Sequence, residues 1–195
     1  MADRMVLTRR RYTIDEFMDL PENTARTELI DGIPVERMPA GGDHGEVVKV
    51  VERWLDRAEL AGYGRRYSGP TGAVLDPDGA RQNVREPDVY FYRQGRRIRR
   101  TSKGMEGVPD LVIEILSPGN RADDLPGGSV WRSYERFAVP DYWIVDYEAR
   151  MVIQHRHDGS RFEEVARLRS GDVLRYSLFP TLPLPVDDLF RELDT

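Results

Sequence analysis

Three acidic residues stand where their side chains could act together. Glu114 lies inside a short run of large aliphatic residues, LVIEIL (111–116), and Asp88 begins the run DVYFY directly after a proline. Glu28 precedes the aliphatic pair of TELI. A carboxylate that is buried without a partner costs several kcal/mol, so Glu114 requires a compensating group. The functional question that the sequence poses is which group this is.

A divalent metal ion is one such group. The predicted strands that carry Asp88 and Glu114 are separated by a single loop, so we expect their carboxylates to converge at neighbouring strand positions. Converging carboxylates repel each other unless a cation or a shared proton intervenes. Mg²⁺ (or Mn²⁺) suits one or two carboxylates completed by a backbone carbonyl and water, and it can activate water against a phosphodiester.

An arginine is the other candidate partner for Glu114. The 29 basic residues include only two lysines, Lys49 and Lys103, which leaves 27 arginines. Because buried acids commonly pair with arginine, spacing alone favours a structural salt bridge for Glu114 over a metal ligand. Asp88 after a proline is also typical of a turn or a helix cap. The residues alone therefore leave both interpretations open.

Composition narrows the class of protein. The chain of 195 residues is 39% hydrophobic, which is enough for one core, and its net charge of −5 does not by itself indicate nucleic-acid binding. The absence of cysteine excludes disulfides and thiolate metal sites and favours a cytoplasmic location. No stretch approaches the roughly 20 apolar residues that span a bilayer, and the charged N-terminus does not resemble a signal peptide. We expect a cytoplasmic protein with no membrane contact.

The residue pattern also predicts the elements that position the three acids. YTIDEFMDLPE predicts a short helix, and TELIDGIPVER predicts a hairpin that turns at its Asp-Gly pair. Helical spacing in VVKVVERWLDRA predicts a second helix, with Asp43 as N-cap and Gly62 at its end. Short strands follow, then a helix in SVWRSYERFAV and three more strands. This order predicts one α/β (α+β) domain at 11–195, a mixed β-sheet flanked by helices, after a flexible tail at 1–10.

Several of these segments together resemble a known family. The blocks TELIDGIPVERMPAGGDHGEVV, REPDVYFY, GVPDLVIEILSPGN and YERFAVPDYWIVD occur in order over roughly residues 11–190. They resemble the Uma-type family of "putative restriction endonucleases" in the PD-(D/E)XK nuclease superfamily. The resemblance implies a restriction-endonuclease-like core, a Mg²⁺-type site, DNA as the substrate and phosphodiester hydrolysis. By analogy we expect a homodimer, for which PDYWIVDYEARMVI could supply an edge strand.

The resemblance also implies roles for individual residues. Asp88 of EPDV and Glu114 of VIEIL match the two metal-binding acids, and the Ile115 carbonyl is the expected backbone ligand. Glu28 matches an acid that often joins the site. His44 of GGDHGEV matches a recurrent histidine, for which a catalytic role and a helix-cap or packing role are equally open.

One feature of the superfamily pattern is missing from this chain. Leu116 stands where a lysine is expected two residues after the second acid, and Val130 stands at the alternative helical position, four residues before Tyr134. Arg132 or Arg121 could supply positive charge, although arginine could not act as a base. The sequence therefore predicts a metal-dependent DNA endonuclease of reduced activity. The alternative is a catalytically inactive nuclease-fold module for nucleic-acid binding or interaction.

Three further patterns each have two interpretations. The basic run RQGRRIRR (93–100) could grip phosphates beside the metal site or form a solvated loop. His155 and His157 could join a zinc site, but without an evident third ligand we interpret them as exposed strand residues. His44 with Glu28 could serve an acid–base hydrolase, provided that the two side chains meet.

Overall fold

The structure, a computed structural model, describes residues 10–20, 27–37, 40–76, 82–102 and 104–194. The predicted tail, except Arg10, lies outside these residues. Within the described ranges, no helix combines the length and apolar character that crossing a membrane requires.

The described chain alternates between helices and short strands. The helices are α1 (Ile14–Met18), α2 (Gly42–Leu60), α3 (Arg121–Asp124), α4 (Ser129–Arg136) and α5 (Val186–Phe190), with a 3₁₀ turn at Arg191–Asp194. The strands of the first half are β1 (Thr27–Ile30), β2 (Ile33–Glu36), β3 (Gly64–Ser68), β4 (Ala73–Val74), β5 (Val84–Arg85), β6 (Val89–Arg93), β7 (Arg99–Thr101) and β8 (Gly104–Glu106). Those of the second half are β9 (Leu111–Ile115), β10 (Asp141–Asp146), β11 (Met151–His157), β12 (Phe162–Leu168), β13 (Val173–Leu174) and β14 (Leu184–Pro185).

Two six-stranded sheets organise these elements. The first has the strand order β2-β1-β5-β4-β8-β7, and the second has the order β12-β11-β10-β9-β6-β3. The second sheet is mixed, because β9 and β10 run parallel whereas its other neighbours are antiparallel. The predicted α+β fold with a mixed sheet flanked by helices is confirmed.

The second sheet has a hydrophobic core on each face. Side chains of alternating strand residues point to opposite faces. Phe91 and Ile113 pack with the apolar face of α2, which includes Trp54. Tyr90 and Val112 pack in a separate cluster with α4. By the same alternation the Glu114 side chain lies on the face of the sheet that α4 covers. Its neighbours therefore come from that side.

The predicted hairpin and second helix form with one difference in detail. Asp31 and Gly32 both have positive φ angles, 48° and 80°, as the tight turn between β1 and β2 requires. Gly62, with φ at 79°, lies just beyond the end of α2 as predicted. The N-cap is Gly41 and not Asp43, which lies two residues later and contributes its charge to the first turn.

Two sequence predictions about strands need correction. PDYWIVDYEARMVI does not supply a sheet edge, because β12 pairs with β11 and leaves β12 and β3 as the edges of the second sheet. RQGRRIRR is not entirely a loop, because its last two arginines begin β7, which pairs with β8 at the edge of the first sheet.

The prediction of exposed histidines is wrong for His155. Its side chain is buried and meets the Trp131 ring edge-on, with ring centroids 4.6 Å apart. His157 is half-buried, and its Nε2 lies 3.0 Å from the Glu135 carbonyl oxygen. A β-bulge between Gln154 and His155 shifts the register of β11 against β12 at this point.

Stability should fall below about pH 6.5 because of His155. Burial lowers the pKa of the His155 imidazole, so the folded state keeps it neutral where the unfolded chain, with a pKa of about 6.5, binds a proton. The free energy of unfolding therefore decreases as the pH falls through this range. Denaturant titrations at several pH values should show a shallower decrease in the free energy of unfolding for His155→Gln than for the parent. Equal slopes for the parent and His155→Gln would contradict the assignment.

Candidate active site

Asp88 and Glu114 meet at the ends of two adjacent antiparallel strands. The pairing of Val89 with Ile113 places Asp88, one residue before β6, opposite Glu114 in β9. The Asp88 N–H donates to Glu114 Oε2 at 3.3 Å, and the Ile115 N–H donates to Asp88 Oδ2 at 2.9 Å. Glu114 is fully buried and Asp88 is 4% exposed. The expected convergence of the two carboxylates is therefore present, and the backbone of Ile115 lies beside them.

Glu28 reaches the same place from the first sheet. Its strand β1 pairs with β5, and two residues separate β5 from Asp88, which directly precedes β6. Glu28 Oε1 accepts a hydrogen bond from the Glu86 N–H at 3.0 Å, and Glu28 Oε2 lies 3.1 Å from the Arg85 guanidinium. This connection between the sheets joins Glu28 to the other two acids.

Arg37, which follows β2, is the cation beside Glu114. Its Nη2 lies 3.5 Å from Glu114 Oε2 and 3.8 Å from Asp124 Oδ1, and its Nη1 lies 3.5 Å from Glu28 Oε1. Nη1 also donates to the Glu86 carbonyl at 3.0 Å. Burial alone would lower the pKa of Arg37, but the carboxylates, Glu114 most strongly, raise it well above its ordinary value. The guanidinium therefore stays charged in the interior.

Tyr134 completes the surroundings of Glu114 from α4. Its hydroxyl donates to Glu114 Oε1 at 2.8 Å, and the Arg85 guanidinium lies 5.6 Å from the centre of its ring. Burial, and next the Glu114 carboxylate, raise the pKa of Tyr134 well above its ordinary value, so the hydroxyl remains a donor. Glu114 is thus tolerated in an apolar strand because Tyr134, Arg37 and the Asp88 amide compensate it.

His44 lies in the first turn of α2 and contacts Asp88. Its Nε2 is 3.0 Å from Asp88 Oδ2, the oxygen that also accepts the Ile115 N–H. The imidazole is buried, so its role includes packing and holding the Asp88 carboxylate. The hydrolase hypothesis required His44 to meet Glu28, whereas the observed hydrogen bond joins His44 to Asp88.

The acids and arginines form a buried charge cluster. Within the described residues it holds four buried carboxylates and two buried guanidiniums. The members are Glu28, Arg37, Arg85, Asp88, Glu114 and Asp124. Carboxylate oxygens are the donors that Mg²⁺ takes.

A metal ion here would rely on few protein ligands. No group of three His, Cys, Asp or Glu side chains in the described residues is arranged to hold a metal. Asp88 and Glu114 with a backbone carbonyl are a smaller set, but Mg²⁺ commonly keeps several waters and takes only one or two carboxylates. The residues present therefore fit such an ion in charge and donor type, and their role as ligands stays a prediction.

The basic residues expected from the sequence lie elsewhere. Arg132 is exposed and donates to the Gly127 carbonyl, and Arg121 pairs with Asp146 at 2.6 Å. Leu116 and Val130, the two positions where a lysine was expected, are buried in the apolar cluster on the α4 face.

The basic run at 93–100 lies away from Asp88. It begins at the far end of β6, roughly 16 Å away at the usual rise per strand residue. Arg93 and Arg96 lie near Asp110, and Arg99 pairs with Glu106. The expectation that this run stands beside the acids is therefore wrong, because β6 carries the chain away from them.

Sequence reasoning missed Arg37, although a signal for it was present. A two-residue Asp-Gly turn fixes the register of the hairpin, which pairs Glu28 with Val35. Arg37 is two residues past that partner, so it lies on the same side of the hairpin as Glu28. The sequence offered no comparable signal for Arg85, because β5 has only two residues.

Comparisons with known proteins give the fold and the family of this chain. The structure is similar to the crystal structure of "a putative nuclease belonging to DUF820" from Anabaena variabilis ATCC 29413, with a TM-score of 0.71 and 21% sequence identity. The match covers 93% of this chain and 98% of that chain, and at this identity it shows the fold. Residues 14–187 match the family Uma2, described as "putative restriction endonuclease", and the chain belongs to this family. The resemblance inferred from the sequence is confirmed. A search of curated proteins gave no match.

Removal of the Tyr134 hydroxyl should destabilise the fold more than removal of a buried hydroxyl that donates to an uncharged acceptor. Tyr134→Phe leaves Glu114 without one donor, and hydrogen bonds to charged groups contribute about 1.5–3 kcal/mol. Tyr142→Phe is the matched control, because its buried hydroxyl donates to the neutral backbone carbonyl of Asp124 at 3.0 Å, for which about 0.5–1.5 kcal/mol is expected. Urea unfolding at neutral pH measures both losses. Equal losses would show that Glu114 does not depend on Tyr134.

Proposed function

We propose that this protein is a metal-dependent DNA endonuclease that hydrolyses phosphodiester bonds. The observation that carries the proposal is the convergence of Asp88 and Glu114 within a buried cluster of carboxylates. Family membership and the nuclease-like fold support the reaction class. We further propose Mg²⁺ or Mn²⁺ as the ion and, by analogy, a homodimer.

The reaction adds water across one P–O bond. The water oxygen bonds to phosphorus, the leaving alkoxide receives a proton, and the products are a phosphate monoester and a hydroxyl group. When bound, a divalent ion lowers the pKa of water and stabilises charge on the phosphoryl oxygens. The chain itself would hold the ion through Asp88, Glu114 and the Ile115 carbonyl.

The surrounding side chains fix the two acids in place. Asp88 is held by His44 and by the Ile115 amide, and Glu114 is held by Tyr134 and by the Asp88 amide. Glu28 acts indirectly, because it accepts from the Glu86 N–H in the segment that leads into Asp88. This rigid arrangement is what a metal site requires, since small displacements of its ligands weaken binding.

A second candidate is a nuclease-fold module that binds nucleic acid without cleaving it. The observation that favours it is the apolar burial of Leu116 and Val130, which leaves both expected lysine positions without charge. Because the positive charge that stabilises the reacting phosphate contributes to the rate, we expect slower turnover than in a chain with the lysine.

A plasmid-nicking assay with Mn²⁺ separates the two candidates. The parent should convert supercoiled plasmid to nicked and linear forms, and Glu114→Gln should abolish cleavage because it removes a ligand charge. Glu163→Gln is the matched control, because Glu163 is exposed on β12 far along the second sheet from β9. Duplex binding without cleavage by the parent supports the module instead.

Cation titration tests the metal site without reference to cleavage. The parent should bind Mn²⁺ in calorimetry, and the double variant Asp88→Ala/Glu114→Ala should lose at least about tenfold in affinity. Loss of a group that merely orients a metal ligand already costs about tenfold or more, and here the ligands themselves are removed. Unchanged affinity in the double variant would rule out these two acids as ligands.

A further inference from the structure

Arg37 lies inside the buried charge cluster, beside Glu114. Its side chain is 4% exposed and its guanidinium lies among Glu28, Glu114 and Asp124. Nη1 is used by the Glu86 carbonyl, whereas Nη2 makes no hydrogen bond within the described part of the chain. The described anionic neighbours of Nη2, Glu114 Oε2 at 3.5 Å and Asp124 Oδ1 at 3.8 Å, lie beyond ideal hydrogen-bond distance, so its hydrogen-bonding capacity is not filled within the described residues.

Other basic side chains do not offer the same combination. The guanidinium nitrogens of Arg85 also make no hydrogen bond within the described residues, but Arg85 is fully buried and its described ion pair is with Glu28, at 3.1 Å. Arg121 and Arg132 engage Asp146 and the Gly127 carbonyl. Arg37 is therefore the cation in closest described contact with Glu114, at 3.5 Å.

We propose that Arg37 supplies the positive charge that stabilises the phosphodiester during hydrolysis in this chain, and that the same charge weakens divalent-cation binding. The proposal rests on the proposed endonuclease function. Its first half follows from the unused Nη2 donor, because a preorganised charged donor in a buried site stabilises developing negative charge. Its second half follows from the contacts with Glu28 and Glu114, because a fixed cation beside two carboxylates repels a second cation.

These two effects give Arg37 a signature that a merely structural residue would not have. Replacement of its charge should raise the affinity for Mn²⁺ and lower the cleavage rate at saturating Mn²⁺. A residue that only maintains the fold would lower both when it is replaced. The opposite directions of the two changes therefore identify an electrostatic role.

The experiment compares Arg37→Met, which removes the charge at similar length, with Arg37→Lys, which keeps it. Arg136→Met is the matched control, because Arg136 forms an exposed ion pair with Asp31 at 2.9 Å. Mn²⁺ affinity is measured by calorimetry, and plasmid cleavage is measured at saturating Mn²⁺. Near-UV circular dichroism establishes that each variant is folded.

We expect Arg37→Met to bind Mn²⁺ at least about tenfold more tightly than the parent and to cleave at least about tenfold more slowly. Each tenfold change corresponds to about 1.4 kcal/mol, in the free energy of binding and in the activation free energy respectively. Arg37→Lys should stay within about threefold of the parent in both, and Arg136→Met should match the parent. If Arg37→Met does not fold, Arg37→Lys alone decides, because a folded lysine variant that binds Mn²⁺ normally but has lost cleavage overturns the proposal.

The outcomes separate this proposal from the proposed function. A parent that cleaves, together with an Arg37→Met variant that cleaves equally well or binds Mn²⁺ more weakly, overturns the role of Arg37 and leaves the endonuclease function intact. A parent that neither binds Mn²⁺ nor cleaves overturns both.

Discussion

The burial of Glu114 near the end of a central strand is the constraint on which the rest of the site depends. A carboxylate at this position is compatible with folding only if donors and cations reach it from several elements. Tyr134 reaches it from α4, Arg37 from the end of β2, and the Asp88 amide from the neighbouring strand. One acid therefore ties the α4 face of the second sheet to the hairpin of the first.

This arrangement joins stability and function in the same contacts. The arginine interpretation and the metal interpretation of Glu114 were alternatives at the level of the sequence. In the structure Arg37 lies beside Glu114, and Asp88 lies opposite Glu114 on the neighbouring strand. The Arg37 guanidinium is shared among Glu114, Glu28 and Asp124, so the salt bridge does not exclude the proposed cation site.

The elements and the convergence of the two main acids could be predicted because they depend on local pattern and chain order. Strand periodicity located β6 and β9, and the short stretch of chain between them favoured neighbouring positions for the two strands, which pair through Val89 and Ile113. Arg37 was harder, because residue type cannot tell which of 27 arginines is buried. The edge-strand prediction failed because it depended on where β12 would pair, which is a tertiary property. His155 failed for a similar reason, since its burial depends on Trp131 from a distant helix.

The central claim is that Asp88 and Glu114 hold a divalent cation while Arg37 remains beside Glu114. Anomalous diffraction from crystals grown with Mn²⁺ tests it most directly. The account predicts one anomalous peak bounded by the Asp88 and Glu114 carboxylates and the Ile115 carbonyl, with the Arg37 guanidinium still within ion-pair distance of Glu114. Saturating Mn²⁺ without a peak between the two acids, or a peak at the position of the Arg37 guanidinium, would contradict it.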